Sequence, residues 1–331
     1  MRALCLTAPT QFEFQHLPEP PQPGPGEALV TVRAAGVCGT DLSGYLGKMP
    51  YIQYPRILGH ELAVEVLAIG PHVSKIQVGD RCSVEPYLNC GSCPPCRQVK
   101  TNCCETLQVL GVHRDGGLVE RLLLPASKLH PANALQDESL ALIETLAIGC
   151  HAVERSLLTP EETVIIFGAG PIGLSVLEFA ILRTPHITMV EPDEQRRHFV
   201  KQHFPGISAV LSEPPESTAQ VLFDATGNAE SMAGSLKCAS FGGRIVFVGI
   251  TTAPVMLDDP LFHRRELTLL ASRNALAADF PRIQELVASN QIDVSRWIGT
   301  KAEFSDAPKL FSDLTSGRVR AVKAMVKIGG F

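Results

Sequence analysis

Two kinds of apolar pattern divide the chain. Up to about residue 145 the runs are short and alternate. Ala28-Leu-Val-Thr-Val-Arg-Ala and Glu61-Leu-Ala-Val-Glu-Val-Leu-Ala-Ile follow the period of two that a half-buried strand needs. The opening Met1-Arg-Ala-Leu-Cys-Leu-Thr-Ala-Pro reads as a first strand. Pro18-Glu-Pro-Pro-Gln-Pro-Gly-Pro-Gly is an extended connector that cannot join a central sheet, because proline has no N–H for the ladder. Val78-Gly79-Asp80-Arg81 reads as a type I or II turn. Many short strands with Gly/Pro turns predict a small distorted barrel.

From Thr163 the pattern changes. Thr163-Val-Ile-Ile-Phe167 is continuously apolar, as a parallel strand buried on both faces must be. The segments 186–190, 220–224 and 243–249 repeat it, with a shorter strand near 208–211, and an apolar helix runs from Leu174 to about Leu182. Only residues 212–219 separate the strand near 211 from the next one. A crossover helix needs about ten residues or more, so an extended link is predicted, at ~3.3 Å per residue. An amphipathic helix from Phe280 and a last strand over 321–328 close the chain.

Composition narrows the function. With 331 residues, two domains are expected, and a net charge of −5 leaves no basic footprint for nucleic acid or a membrane surface. No apolar run nears the ~18 residues of a membrane span, and the first residues lack the apolar stretch of a signal peptide. Ten cysteines without export argue for a reducing, cytoplasmic setting. Cys5, Cys82, Cys150 and Cys238 sit in apolar runs and read as core.

The other cysteines carry chemistry. Cys90, Cys93 and Cys96, with Cys104 as fourth, give C-x2-C-x2-C-x7-C, dense enough to read as a zinc loop rather than a disulfide framework. Cys103 stays open as the fourth ligand, although spacing favours Cys104; a redox pair is the other reading. Upstream stand Gly36-Val-Cys38-Gly-Thr40-Asp41 and Gly59-His60-Glu61, which offer a thiolate, an imidazole and a carboxylate for a catalytic zinc. Singly each is ordinary; together, ahead of the four-cysteine loop, they point to a metal. Glu144 lies inside an apolar run, which is costly unless it is paired or bound to metal.

Downstream, Gly168-Ala-Gly170-Pro171-Ile172-Gly173 follows a strand and opens a helix. Strand, glycines and helix together make a dinucleotide fingerprint, with the phosphates at the helix N-terminus. Glu191 ends the next strand about 20 residues on, where an acid grips a ribose 2′-OH and favours NAD over NADP. Arg196 and Arg197 either soften that preference or lie on a solvated helix face.

In order and separation these motifs resemble those of the zinc-dependent medium-chain alcohol and polyol dehydrogenases, over essentially the whole chain. The resemblance implies an α/β protein with a GroES-like catalytic domain (1–145, zinc lobe about 88–106). An NAD-binding Rossmann domain (146–272) and a return segment (273–331) that completes the catalytic domain would follow. It also implies two zinc ions and NAD. Cys38 and His60 would hold the catalytic zinc, with Glu144 as third ligand and Glu61 beside it, direct or exchanging. Asp41 would orient His60, and Thr40 would bond the substrate hydroxyl and start a proton relay. Two departures stand out: Ser43 occupies a position where relatives often carry the relay's histidine, and Val64 one where they have glycine. Residues 109–120, with 54–60, 101–105 and 141–144, match a subset that includes L-galactonate and L-gulonate 5-dehydrogenase-like enzymes. Arg273 falls where relatives place a substrate-contacting arginine, suited to a sugar-acid carboxylate; a salt bridge to Asp279 or Glu266 is the other reading. His113 is a surface-loop residue or a substrate contact. The expected partner is a small-molecule alcohol, and the expected assembly a homo-oligomer, dimer or tetramer. A neutral polyol or threonine-type substrate is the alternative, and a non-catalytic NAD-binding regulatory or structural protein is the alternative of another class.

Overall fold

The computed structural model describes residues 1–215 and 218–329. The chain opens with β1 (Arg2–Ala8), β2 (Gln11–His16), β3 (Glu27–Val37) and the short helix α1 (Gly39–Tyr45). Next come β4 (Arg56–Ile57), β5 (Glu61–Ile69), β6 (Arg81–Val84) and β7 (Tyr87–Leu88). Helix α2 (Pro94–Arg97) lies inside the cysteine loop, before β8 (Gln108–Val109), β9 (Arg121–Pro125) and β10 (Leu129–Pro131). The long α3 (Asp137–Ser156) leads to β11 (Val164–Phe167), α4 (Pro171–Ile181), β12 (Ile187–Val190) and α5 (Glu194–His203). Then follow β13 (Ala209–Leu211), β14 (Ala219–Asp224), α6 (Ala229–Ser235), β15 (Ala239–Phe247), α7 (Asp259–Arg264) and β16 (Thr268–Ala271). The last elements are α8 (Asp279–Ala288), β17 (Ile298–Glu303), α9 (Ala307–Thr315) and β18 (Lys323–Lys327).

Two compact units result: Met1–Glu144 with Leu276–Phe331, and Thr145–Ala275. The divide falls inside α3, and the return comes at 276 rather than at the expected 273, which leaves Arg273 in the second unit.

In the first unit the main sheet runs β10-β6-β5-β3-β18-β17, with β9 also on β3; a smaller sheet runs β2-β1-β4, and β7 pairs β8. The alternation read in the sequence is real, since every second residue of β3 from Ala28 to Ala34 is buried. Leu4, Leu6, Val30, Val32, Leu62, Val64 and Phe311 belong to one continuous core. Val64 is therefore a packing residue. The turn after β5 sits one residue earlier than expected, with Asp80 N–H donating to Gln77 O at 3.2 Å. Gly79 takes φ +89°, which makes the turn type II.

In the second unit the strand order is β13-β12-β11-β14-β15-β16, and all neighbours are parallel. This is the doubly wound order 3-2-1-4-5-6. β11 is buried along its whole length, as its apolar run required. No helix stands between β13 and β14 among the described residues; positions 216 and 217 of the expected extended link lie outside them. Cys5, Cys82, Cys150 and Cys238 are all buried. No helix among the described residues is long and apolar enough to cross a membrane.

Candidate functional site

Cys38 ends the β3 segment and N-caps α1. His60 and Glu61 stand where β5 begins, antiparallel to β3, with Gly36 opposite Glu61. That pairing brings two distant motifs together: one ligand atom each of Cys38, His60 and Glu61 lies within 4.8 Å of the others. Asp41 fastens the arrangement. Its Oδ2 accepts the Cys38 N–H at 2.9 Å, its Oδ1 accepts the Gly59 N–H at 3.2 Å, and His60 Nδ1 lies 3.6 Å from Oδ1. The carboxylate that the resemblance implies beside His60 thus also caps the first turn of α1. Burial works to raise the Asp41 pKa, but His60 and the two N–H groups hold it below its ordinary value. Burial works to lower the His60 pKa, and Asp41 with Cys38 raises it well above the usual imidazole range. Proton and metal therefore compete for this imidazole.

Glu144 stands apart from the three-residue group. Its Oε1 accepts a hydrogen bond from the Tyr87 hydroxyl, and both side chains are buried. Burial raises the Glu144 pKa, with Glu61 adding to the rise. Burial and then Glu144 push the Tyr87 phenol well above its ordinary value. Glu61 is also engaged: its Oε1 accepts from Lys323 Nζ, with both side chains 1% exposed, while its Oε2 is buried without a partner. Thr40 and Ser43 lie one turn apart on α1, half-buried.

The four-cysteine loop closes as the spacing suggested, with Cys90, Cys93, Cys96 and Cys104 within 4.8 Å, while Cys103 is exposed outside the group. Backbone N–H groups of Ser92 and Cys93 point at Cys90 Sγ at 3.5 and 3.4 Å and lower its pKa to about 5. Burial pushes the Cys96 thiol up to about 11. Asn89 Nδ2 donates to Cys96 Sγ at 3.7 Å, and its Oδ1 accepts from Lys128 Nζ at 2.8 Å. Lys128 also donates to the buried Glu85, whose Oε2 lies 3.5 Å from His130 Nε2.

In the second unit Gly168 takes φ +92°, and a Cβ on Gly173 would lie 1.8 Å from Gly168 O. A Cβ on Gly170 would meet only Arg196 Nη1, at 3.8 Å. Pro171 and Ile172 begin α4, whose N-cap is Gly170. Glu191 is buried; its Oε2 accepts the Ala169 N–H at 2.7 Å and its Oε1 the Asp193 N–H at 2.9 Å. Arg196 Nη1 lies 3.7 Å from Glu191 Oε2. Arg197 turns back onto the Glu191 and Pro192 carbonyls. Arg273 is exposed beyond β16. His113 is an exposed loop residue whose Nδ1 accepts the Val109 N–H at 3.1 Å.

Tyr87, Lys323 and the Glu85–Lys128–Asn89 group were missed in the sequence. A lysine inside the apolar run 321–328 was the available signal, since a buried ammonium requires an acid.

Comparison with known proteins is decisive at this point. The model for the alcohol dehydrogenase GroES-like domain matches residues 24–134, and that for zinc-binding dehydrogenase matches 171–289. The L-galactonate-5-dehydrogenase of Escherichia coli K12 is 35% identical, with 92% of each chain covered. The chain belongs to the zinc-type medium-chain alcohol dehydrogenase family. It is therefore a zinc-binding oxidoreductase that acts on small-molecule alcohols with a nicotinamide dinucleotide. The 2-dehydro-3-deoxy-L-galactonate 5-dehydrogenase of Pseudoalteromonas atlantica is 33% identical over 92% of each chain. Among solved structures, an E. coli alcohol dehydrogenase (rspB) complexed with NADH superposes with a TM-score of 0.90 at 27% identity, covering 99% of both chains. A zinc-binding dehydrogenase from Sinorhizobium meliloti bound to NADP gives 0.89 at 28% identity, also over 99% of both chains.

Proposed function

We propose that this dehydrogenase oxidises a secondary hydroxyl of a hexonate-like sugar acid and passes the hydride to NAD. The observation that carries the reading is the Cys38–His60–Glu61 group, with Cys38 half-buried, His60 and Glu61 buried, and Glu61 Oε2 without a partner. A thiol, an imidazole and a free carboxylate oxygen fit a zinc ion. When bound, zinc acts there as a Lewis acid that lowers the pKa of the substrate hydroxyl. Cys38 and His60 would hold it, and Asp41, whose Oδ1 lies 3.6 Å from His60 Nδ1, would orient the ring. Glu144 and Glu61 are the two carboxylates available for the third place. Thr40 takes the hydroxyl proton in a hydrogen bond and passes it along α1 toward Ser43. A serine does not store a proton at neutral pH, so the relay ends in water. Cys90, Cys93, Cys96 and Cys104 hold a second zinc, which folds their lobe.

Gly168–Gly173 would hold NAD, with the side-chain-free Gly170 leaving room for the pyrophosphate and the α4 N-terminus favouring its charge. Glu191 accepts the ribose 2′-OH. Arg196, beside it, loosens the exclusion of NADP. Relatives named for L-galactonate and for 2-dehydro-3-deoxy-L-galactonate support a carboxylate-bearing substrate, which Arg273 would grip. Relatives named L-arabinitol 4-dehydrogenase, such as that of Hypocrea jecorina at 29% identity, support a neutral polyol as the second reading. Family likeness supports a homo-oligomer, dimer or tetramer, which sedimentation velocity counts.

The test is NADH formation by zinc-loaded enzyme on parallel hexonate and polyol panels, repeated with NADP. Turnover of a hexonate with loss in Arg273→Ala is expected; fast polyol turnover with silent hexonates refutes the sugar-acid reading. Cys38→Ser should abolish turnover and leave NAD affinity unchanged. Surviving activity would overturn the metal assignment, and an inert wild-type protein would favour a non-catalytic role.

A further inference from the structure

Three adjacent strands, β5, β3 and β18, carry the catalytic group. Glu61 is on β5 and Lys323 on β18, with β3 between them, so the two backbones stand two strand spacings apart, about 10 Å. Their side chains still meet, because the intervening position opposite Glu61 is Gly36. A Cβ there would lie 2.2 Å from Glu61 Oε2 and 3.0 Å from Glu61 Cβ. The missing side chain is what lets the Glu61 carboxylate lie over β3. One of its oxygens is tied to Lys323, the other is buried without a partner, and the carboxylate belongs to the metal group. An ammonium makes point contacts and lacks the planar fork that would take both oxygens.

We propose that Lys323 is a positioning residue that governs how Glu61 reaches the catalytic metal. It restrains one oxygen and leaves the other without a partner, and so sets how firmly Glu61, direct or exchanging, competes with Glu144 and with substrate for the metal. This rests on the metal reading above. Two substitutions then act in opposite directions. In Lys323→Met the carboxylate loses its counter-ion and has only the metal to satisfy it, so metal affinity rises and turnover falls. In Lys323→Arg the fork takes both oxygens and draws Glu61 away, so metal affinity falls. A role confined to packing would weaken the metal in both.

The experiment loads the full-length protein with Co²⁺ at the catalytic site and reads affinity and visible absorption, with Cys38→Ser subtracting the four-cysteine site. Expected is a gain in affinity of about tenfold or more for Lys323→Met and a loss of similar size for Lys323→Arg, as partners of metal ligands generally produce. Lys323→Met should also change the cobalt spectrum, and in a Glu61→Gln background it should change neither reading. Equal losses in both variants, or an unchanged spectrum, overturn the proposal. If thermal melting shows that Lys323→Met does not fold, Lys323→Arg decides alone, and unchanged or tighter binding refutes it. If the wild type shows no signal beyond that of Cys38→Ser, the metal reading itself falls.

Discussion

The three glycines of the nucleotide turn look equivalent in sequence, yet they should fail in three different ways. An alanine at Gly173 would place its Cβ 1.8 Å from Gly168 O and 2.8 Å from Gly168 C, where an ordinary contact begins near 3.4 Å. The obstacle is backbone, so α4 must move off β11. Overpacking of this kind costs about 1–3 kcal/mol and more where nothing can yield. At Gly168 the obstacle is conformation: φ is +92°, and a left-handed backbone costs an alanine about 1–2 kcal/mol. At Gly170 φ is −74° and the space is open, so alanine is tolerated. Its gain of about 0.4–1 kcal/mol in chain entropy is offset by its weakness as an N-cap.

Chemical denaturation and NAD titration of the three variants separate these effects. Gly173→Ala should lose several kcal/mol of stability in its own unit, and Gly168→Ala about half as much. Gly170→Ala should melt like the wild type but bind NAD at least tenfold more weakly, a loss of about 1.4 kcal/mol, because its Cβ enters the space kept for the pyrophosphate. Full NAD affinity in Gly170→Ala would refute the assignment of that space. Wild-type stability in Gly173→Ala would refute the close packing of helix on strand.

Further outcomes are open to measurement. Glu162 takes Arg244 through both oxygens, at 2.8 and 2.7 Å, and accepts the Thr159 N–H; although burial acts to raise it, its pKa lies below the ordinary 4.5. A lowered carboxyl pKa stabilises the fold above about pH 4.5, and that contribution is lost as pH falls through the folded value. Glu162→Gln should therefore cost about 1 kcal/mol at pH 7 and flatten the acid limb of melting temperature against pH; parallel limbs would contradict this. Val99, exposed in the zinc lobe, is a β-branched residue at φ +62°. Val99→Gly trades about 1–2 kcal/mol of strain for about 0.5–1 kcal/mol of chain entropy and should slow chelator-driven zinc release; faster release would show that the strain is not there. In metal-free protein at pH 6, iodoacetamide should modify Cys90, with its pKa of about 5, long before Cys82, whose thiol burial pushes up to about 12. Zinc should block the reaction, and peptide mass spectrometry that finds Cys82 labelled equally would refute the assignment.

What was legible in the sequence was what is local in it. The zinc loop, the glycine turn and the Cys38 and His60 motifs each fit within a few residues, because their geometry is set by short backbone segments. Strand type was legible for the same reason, through continuous burial in β11 and alternation in β3. The residues that were missed pair over long separations: Tyr87 with Glu144 across 57 positions, Lys128 with Glu85 across 43, Lys323 with Glu61 across 262. Motif spacing carries no trace of such pairs. The rule that flagged Glu144, an ionisable group inside an apolar run, applies equally to Lys323, but it names only the need for a partner and not which one. Register supplies the rest, and register is a property of the assembled sheet.

The segment from Glu85 to Asn89 shows why this matters for the chemistry. Glu85 and Asn89 flank the short strand β7, and Tyr87 opens it. Glu85 and Asn89 both meet Lys128, and Asn89 reaches on to Cys96 of the zinc loop. Tyr87 meets Glu144. Three side chains of one short segment thus reach the surroundings of both candidate metal groups. Lys128 and Glu85 are both buried, so removing either would leave an uncompensated charge, at a cost of about 3–5 kcal/mol. The surroundings of the two metal groups are therefore tied to one segment by polar contacts as well as by packing, through residues that belong to neither motif.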